Sequence, residues 1–160
     1  MSIKRSDVLG IAIAVIVCEL VGIVGAVFTA PAIPTWYASL VKPSFTPPGW
    51  LFGPVWTTLY ALMGIAAFIV WRRGLAVAGV KAALLLFVVQ LLLNALWSPV
   101  FFGVHSPSGG LAIILALWVA IVATIALSAG VSKAAAVLLV PYLLWVSFAT
   151  VLNFSIWRLN

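Results

Sequence analysis

The stretch TWYASLVKPSFTPPGWLFGPVWTTLY, Thr35 to Tyr60, decides how the rest of the chain is read. It interleaves Pro43, Pro47, Pro48 and Pro54 with Trp36, Tyr37, Trp50, Trp56 and Tyr60, while the sequence on both sides is almost unbroken apolar residues. A connector between buried helices needs only a few polar residues. This one is long, stiff and aromatic, so it is expected to have a shape of its own.

Working outward, the chain is 66% hydrophobic and 6% charged over 160 residues. An ordinary globular composition is roughly half apolar, so a water-soluble domain could not hide this surface and the solvent must be lipid. A membrane helix needs about 20 mostly apolar residues, which leaves room for about five spans. They fall at about 8–28, 51–71, 80–102, 110–127 and 134–157. The fold class is therefore all-α integral membrane: a single five-helix bundle with a long structured loop between the first two helices. Lys4 and Arg5 before an apolar run resemble a signal peptide, but the run is too long and Glu19 interrupts it, so it reads as a retained first helix. Ser132 is placed to cap the last helix.

The formal charge of +6 points to topology rather than to nucleic acid. Five spans put Lys4, Arg5, Arg72, Arg73, Lys81 and Lys133 on one side and Lys42 and Arg158 on the other. The positive-inside rule then makes the N-terminus cytoplasmic. Cys18 is the single cysteine and His105 the single histidine, so neither a disulfide framework nor a metal site is expected. No internal repeat of the transporter kind is visible.

Proline restricts its own φ and the residue before it, so the loop carrying Pro31, Pro34, Pro43, Pro47 and Pro48 loses little entropy on ordering. Its apolar load, Trp36, Tyr37, Phe45, Trp50 and Phe52, calls for burial. For Trp36 or Trp50 taken singly, an interfacial aromatic belt is an equal reading. A cap over the open end of the bundle accounts for both the stiffness and the rings.

Polar groups in the spans follow helical stripes. Gln90, Asn94, Trp97 and Phe101 share one face; Trp145, Ala149, Asn153 and Trp157 share another; Trp56, Tyr60 and Met63 a third. Gln90 and Asn153 read as interhelical hydrogen-bond glue, Asn94 as pocket lining. Indole faces with a few fixed polar groups suit a flat, largely apolar ligand: Trp56, Asn94, Trp97 and Trp145 would serve a porphyrin or a sterol-like molecule. His105 lies at a helix end, away from these residues. Pro141 is expected to kink the last helix. Glu19 is expected to be neutral or bonded to a polar group of a neighbouring helix; a proton site is the alternative. Gly22 with Ala26, and Ala112 with Ala116 and Ala120, offer close helix packing, more readily within the bundle than in a dimer.

The loop motif W-Y-x-x-L-x-K-P-x-x-x-P-P-x-W followed by G-P-V-W-x-x-L-Y, with NALWSPVFFG and PYLLWVSFATVLNFSIWRLN, resembles the TspO/MBR family of translocator proteins, the peripheral-type benzodiazepine receptors. The resemblance implies a bundle, often homodimeric, whose first loop closes a pocket for porphyrins and synthetic aromatic ligands. It places Tyr37, Trp56, Asn94 and Trp145 at pocket positions, with Ala149 on the stripe of Trp145 and Trp36 beside Tyr37. Trp56 and Trp145 match tryptophans linked in bacterial relatives to light-dependent porphyrin breakdown, so any catalytic role would be photochemical. Porphyrin enters as ligand; no cofactor is required. Phe154 stands where animal relatives carry the tyrosine of a sterol motif, although Arg158 remains, so sterol binding is not expected. A prokaryotic cell membrane is the expected location. The readings open at this point are a tetrapyrrole receptor, a transporter of such ligands, and a light-dependent porphyrin-degrading enzyme.

Overall fold

A computed structural model describes residues 4–160. Five helices are long and apolar enough to cross a membrane: α1 (Arg5–Ala32), α3 (Gly49–Trp71), α4 (Val80–Ser98), α5 (Pro107–Val131) and α6 (Lys133–Leu159), with a short α2 (Trp36–Ser39) between the first two. Around the bundle α1 packs on α3, α3 on α6, α6 on α5, α5 on α4, and α4 returns to α1. The protein is an integral, multi-pass membrane protein. Its outer surface is the Val, Ile and Leu face of every helix, which lipid covers at no hydrophobic cost.

Several boundaries differ from the sequence expectation. α1 continues four residues past Phe28 and contains Pro31. A proline in the last turn removes one hydrogen bond, and the burial of Ala32 beside Phe101 and Phe102 compensates for it. α5 runs on through the SAGV segment, so the link to α6 is Ser132 alone. Ser132 caps α6 as expected, its hydroxyl accepting from the Ala135 amide at 3.5 Å. α6 passes through Pro141 without interruption.

After Ser98 the helix widens into a π segment, Pro99–Gly103. The Val104 amide reaches back five residues to the Pro99 carbonyl at 2.9 Å. Adjacent Phe101 and Phe102 within this segment are both buried. π segments of one turn mark functional regions in many helices. The sequence reading did not anticipate it.

Small residues set the closest contacts. Gly64 of α3 lies directly against the Val15 and Ala14 backbone of α1, and Gly22 of α1 faces the Tyr60 ring. Gly22 therefore serves the bundle. Ala26, Ala112 and Ala116 do not: they face outward, and only Ala120 of the α5 alanines is buried. At the end remote from α2, Arg72 Nη2 is 3.1 Å from Asp7 Oδ2, joining the start of α1 to the end of α3. Gly74, at φ 97°, supplies the left-handed residue that ends α3.

Residues 33–48 form a lid. Lys42 Nζ lies 4.8 Å from the Tyr37 ring centroid and donates to the Leu40 carbonyl at 3.1 Å, so the lid is stapled to itself. It is tied to the bundle by Asn160, whose Oδ1 accepts from the Val41 amide and whose Nδ2 donates to the Val41 carbonyl, each at 3.0 Å. Of the two readings open for Trp50, its 73% exposure fits the interfacial belt rather than the buried load of the lid. Substituting Asn160→Ala removes this two-bond clasp. Exposed bonds of this kind are worth about 0.5–1.5 kcal/mol each, so amide exchange at Val41 should accelerate by roughly ten-fold or more while the melting temperature of the bundle barely moves. Hydrogen-exchange mass spectrometry of the detergent-solubilised protein measures it.

Candidate functional site

The helix stripes place Trp56, Trp97, Trp145 and Ala149 against one apolar core that also contains Tyr60 and Tyr142. Along the seam between α3 and α6, the Trp56 ring stacks on Tyr60 (centroids 5.5 Å, 29° between planes) and meets Tyr142 edge-on at 6.3 Å. One turn earlier on α3, Phe52 meets the Trp145 ring edge-on at 5.7 Å. Trp145 in turn packs against Phe148 at 5.6 Å, and Phe45 of the lid closes over Phe148 at 6.3 Å. Trp56 and Trp145 thus flank the same seam, with a lid ring over its end.

Asn94 occupies the middle of the bundle. Tyr60 donates its hydroxyl to Asn94 Oδ1, and Asn94 Nδ2 donates to the Tyr142 hydroxyl at 2.9 Å. The carboxamide therefore links α3, α4 and α6, and its role is interhelical rather than that of a free pocket group. Gln90 shows the opposite outcome. It is 1% exposed, yet neither atom of its amide has a protein partner, so it is not the glue its position suggested. Asn153 is glue: its Oδ1 accepts from Trp97 Nε1 at 3.1 Å and its Nδ2 donates to the Pro107 carbonyl at 2.8 Å. Glu19, half-buried on α1, has no hydrogen bond or ion pair among the described residues, which removes the polar-partner alternative and leaves the neutral one.

The indole nitrogens divide the candidate tryptophans. Trp97 uses its N–H on Asn153, and its ring stacks on Phe101 at 5.0 Å. Trp145 Nε1 is buried and bonded to nothing. Buried polar groups are nearly always paired, so this donor, on the ring wall of the seam, is a place for an acceptor that the chain does not supply.

Trp36 and Tyr37 lie apart from the seam. Both pack on the π segment: Trp36 against Phe101 at 5.5 Å and Phe102 at 6.4 Å, Tyr37 against Phe102 at 5.6 Å. Burial pushes the Tyr37 phenol above its usual range. Trp97, packed against both clusters, connects these lid residues to the seam. His105 sits with the loop, its imidazole lying flat on the Trp36 indole, centroids 4.6 Å apart and 12° between planes.

Five membrane helices enclosing an aromatic seam under an ordered lid define a small lidded membrane bundle. The chain belongs to the TspO/MBR family, whose model matches residues 14–158. It is 48% identical to the Tryptophan-rich protein TspO of Chlorobaculum tepidum over 98% of this chain and 99% of that one. Similarity extends to Protein CrtK of Rhodobacter capsulatus, 44% identical over 91% of this chain and 89% of the relative. The Translocator protein of Homo sapiens is 44% identical over 78% of this chain and 75% of its own.

Proposed function

We propose that the protein is a membrane receptor for porphyrins and similar flat hydrophobic molecules, which bind in the seam between α3 and α6 beneath the lid. The observation that carries this reading is the buried, unbonded Nε1–H of Trp145 in a wall of aromatic rings. Ring faces stack on a planar ligand, and one fixed donor orients it. Phe45 of the lid lies against the Phe148 ring, so entry requires the lid to move, and Phe52 of α3 must turn off Trp145. Each aromatic contact released costs about 0.5–1.5 kcal/mol, a barrier a ligand of large apolar area can offset. Trp36 and Tyr37 anchor the lid, Ala149 gives the seam room on α6, and Trp97 holds its far side.

Light would extend binding to chemistry only through the rings. Trp56 and Trp145, lying against a bound pigment, are the residues an excited porphyrin or reactive oxygen would oxidise. The six cations at the N-terminal end of the bundle favour a cytoplasmic N-terminus, and a homodimer would use the apolar outer face of the helices. Transport is the second reading, favoured by the name of the human relative; sealed vesicles containing the protein would then show ligand flux.

Titration with protoporphyrin IX in the dark, followed by tryptophan quenching and corrected for ligand absorbance, tests the seam. Saturable binding should weaken roughly 3- to 10-fold in Trp145→Phe, the size of one net hydrogen bond. Quenching that stays linear and unchanged by Trp145→Phe and Trp56→Phe would mean partition into the micelle and would remove the seam as a site.

A further inference from the structure

The end of the bundle remote from the lid carries a corner that the seam does not use. α3 finishes there at Trp71, whose indole is exposed, and an exposed tryptophan at the end of a membrane helix stands at the level of the lipid head groups. The link that follows, residues 72–79, turns the chain back into α4 and exposes Leu75 and Val77. It closes against the end of α5, where a methyl group added at Gly79 would meet Val131 Cγ2 at 3.5 Å. Lys81 follows Gly79 by two residues and Lys133 follows Val131 by two. That contact therefore brings both lysines to one corner, with Arg73 at the start of the same link.

The three cations of this corner are free. Arg73, Lys81 and Lys133 are exposed, and their side chains have no ion pair or hydrogen bond among the described residues. Other cations are engaged. Arg72 is held by Asp7, the acidic side chain of this end. Lys42, at the lid end, donates to the Ala38 and Leu40 carbonyls and lies on the Tyr37 ring. Orientation in the membrane requires only that the charge be present. Unpaired ammonium and guanidinium groups beside exposed Trp, Leu and Val side chains offer more, because phosphate forms charge-assisted hydrogen bonds with the first and acyl carbon covers the second. The bilayer already lies against Trp71, so a phospholipid reaches both kinds of group at once.

We propose that this corner is a binding surface for anionic phospholipids, whose phosphates pair with Arg73, Lys81 and Lys133 while their upper acyl carbons cover Trp71, Leu75 and Val77. A zwitterionic lipid presents the same phosphate with its own cation beside it, so the surface selects lipids of net negative charge. The protein thereby gathers anionic lipid around one end of the bundle and leaves the lid end without such a shell.

The test reconstitutes the purified protein in phosphatidylcholine vesicles with a trace of spin-labelled phosphatidylglycerol or spin-labelled phosphatidylcholine. Electron paramagnetic resonance reads the motionally restricted lipid at the protein surface. Wild type should prefer phosphatidylglycerol by about five-fold, the factor that one cation near an anionic surface is worth. Arg73→Gln, Lys81→Gln and Lys133→Gln combined should remove most of that preference, and Arg158→Gln at the lid end should leave it in place. Each single substitution should remove part of it, which decides the matter if the triple variant does not reconstitute. Inorganic phosphate added at constant ionic strength should not displace the labelled lipid. Displacement would assign the corner to a soluble anion and overturn the proposal. Equal restriction of the two lipids in wild type would leave the corner to an acidic soluble partner and overturn it as well. So would a preference that the triple variant keeps or that Arg158→Gln abolishes. Protoporphyrin titration reads the seam, so the two readings fail independently.

Discussion

Asn94→Leu should destabilise the bundle more than any other single change at the candidate site, and it should do so whether or not ligand is present. The side chain is replaced by one of similar length that can neither accept from Tyr60 nor donate to Tyr142. Both phenols are buried, Tyr142 completely, so neither can turn to water. Orphaning a buried hydroxyl costs about 1–3 kcal/mol. Interhelical bonds within membranes average nearer about 0.6 kcal/mol, because the unfolded chain in lipid also finds partners. Two bonds lost together place the expected effect at about 2–3 kcal/mol, visible as a lower melting temperature in detergent. The cause is checked by repeating the substitution in a Tyr60→Phe, Tyr142→Phe background, where no hydroxyl is left to orphan and most of the loss should vanish. An Asn94→Leu protein that melts like wild type and yet fails to bind protoporphyrin IX would reverse the assignment and make the carboxamide a ligand group.

That residue shows where the sequence stopped being readable. The stripe Gln90–Asn94–Trp97–Phe101 put the amides inside the bundle correctly, because helical period and the cost of an amide in lipid suffice for that. Which partner each amide meets depends on the rotation of other helices. Tyr142, 48 residues away, could not be paired with Asn94 by spacing. Gln90 and Asn94, one turn apart on the same face, consequently differ: one has no partner and the other has two. The five spans were legible for a simpler reason, since their length and polarity are dictated by the bilayer itself. The lid was legible from its prolines. Its helix α2 was not, and Trp50 was left between burial and an interfacial belt, because proline spacing fixes stiffness without fixing which ring turns inward. The π segment at Pro99–Gly103 was not legible either, because helical periodicity does not mark where a turn widens.

Gly64→Ala is the second large effect, and it acts on the bundle through the backbone. A methyl group at Gly64 would sit 2.6 Å from Val15 Cα, 2.7 Å from Val15 N and 2.8 Å from the Ala14 carbonyl oxygen. No side-chain rotation relieves a clash with main chain, so α1 must move away from α3 along its length. Helix association in lipid rests on close packing rather than on a hydrophobic drive, and overpacking of this kind costs about 1–3 kcal/mol, occasionally more. Gly22→Ala has a different target. Its methyl would press on the Tyr60 ring at 2.5 and 2.9 Å, and that ring is held by Asn94 and stacked on Trp56. The strain should therefore reach the seam and lower porphyrin affinity as well as stability. Gly53→Ala, with nothing within 4 Å of the added methyl, is the control and should be neutral or slightly stabilising, since alanine favours helix by about 0.8–1.0 kcal/mol over glycine. Thermal melting of the three variants should rank Gly64→Ala lowest, with Gly22→Ala alone combining a stability loss with a binding defect beyond it. Equal melting of Gly64→Ala and Gly53→Ala would mean that α1 does not lie against α3 as closely as described, and the wall that Gly22 forms beside Tyr60 would fall with it.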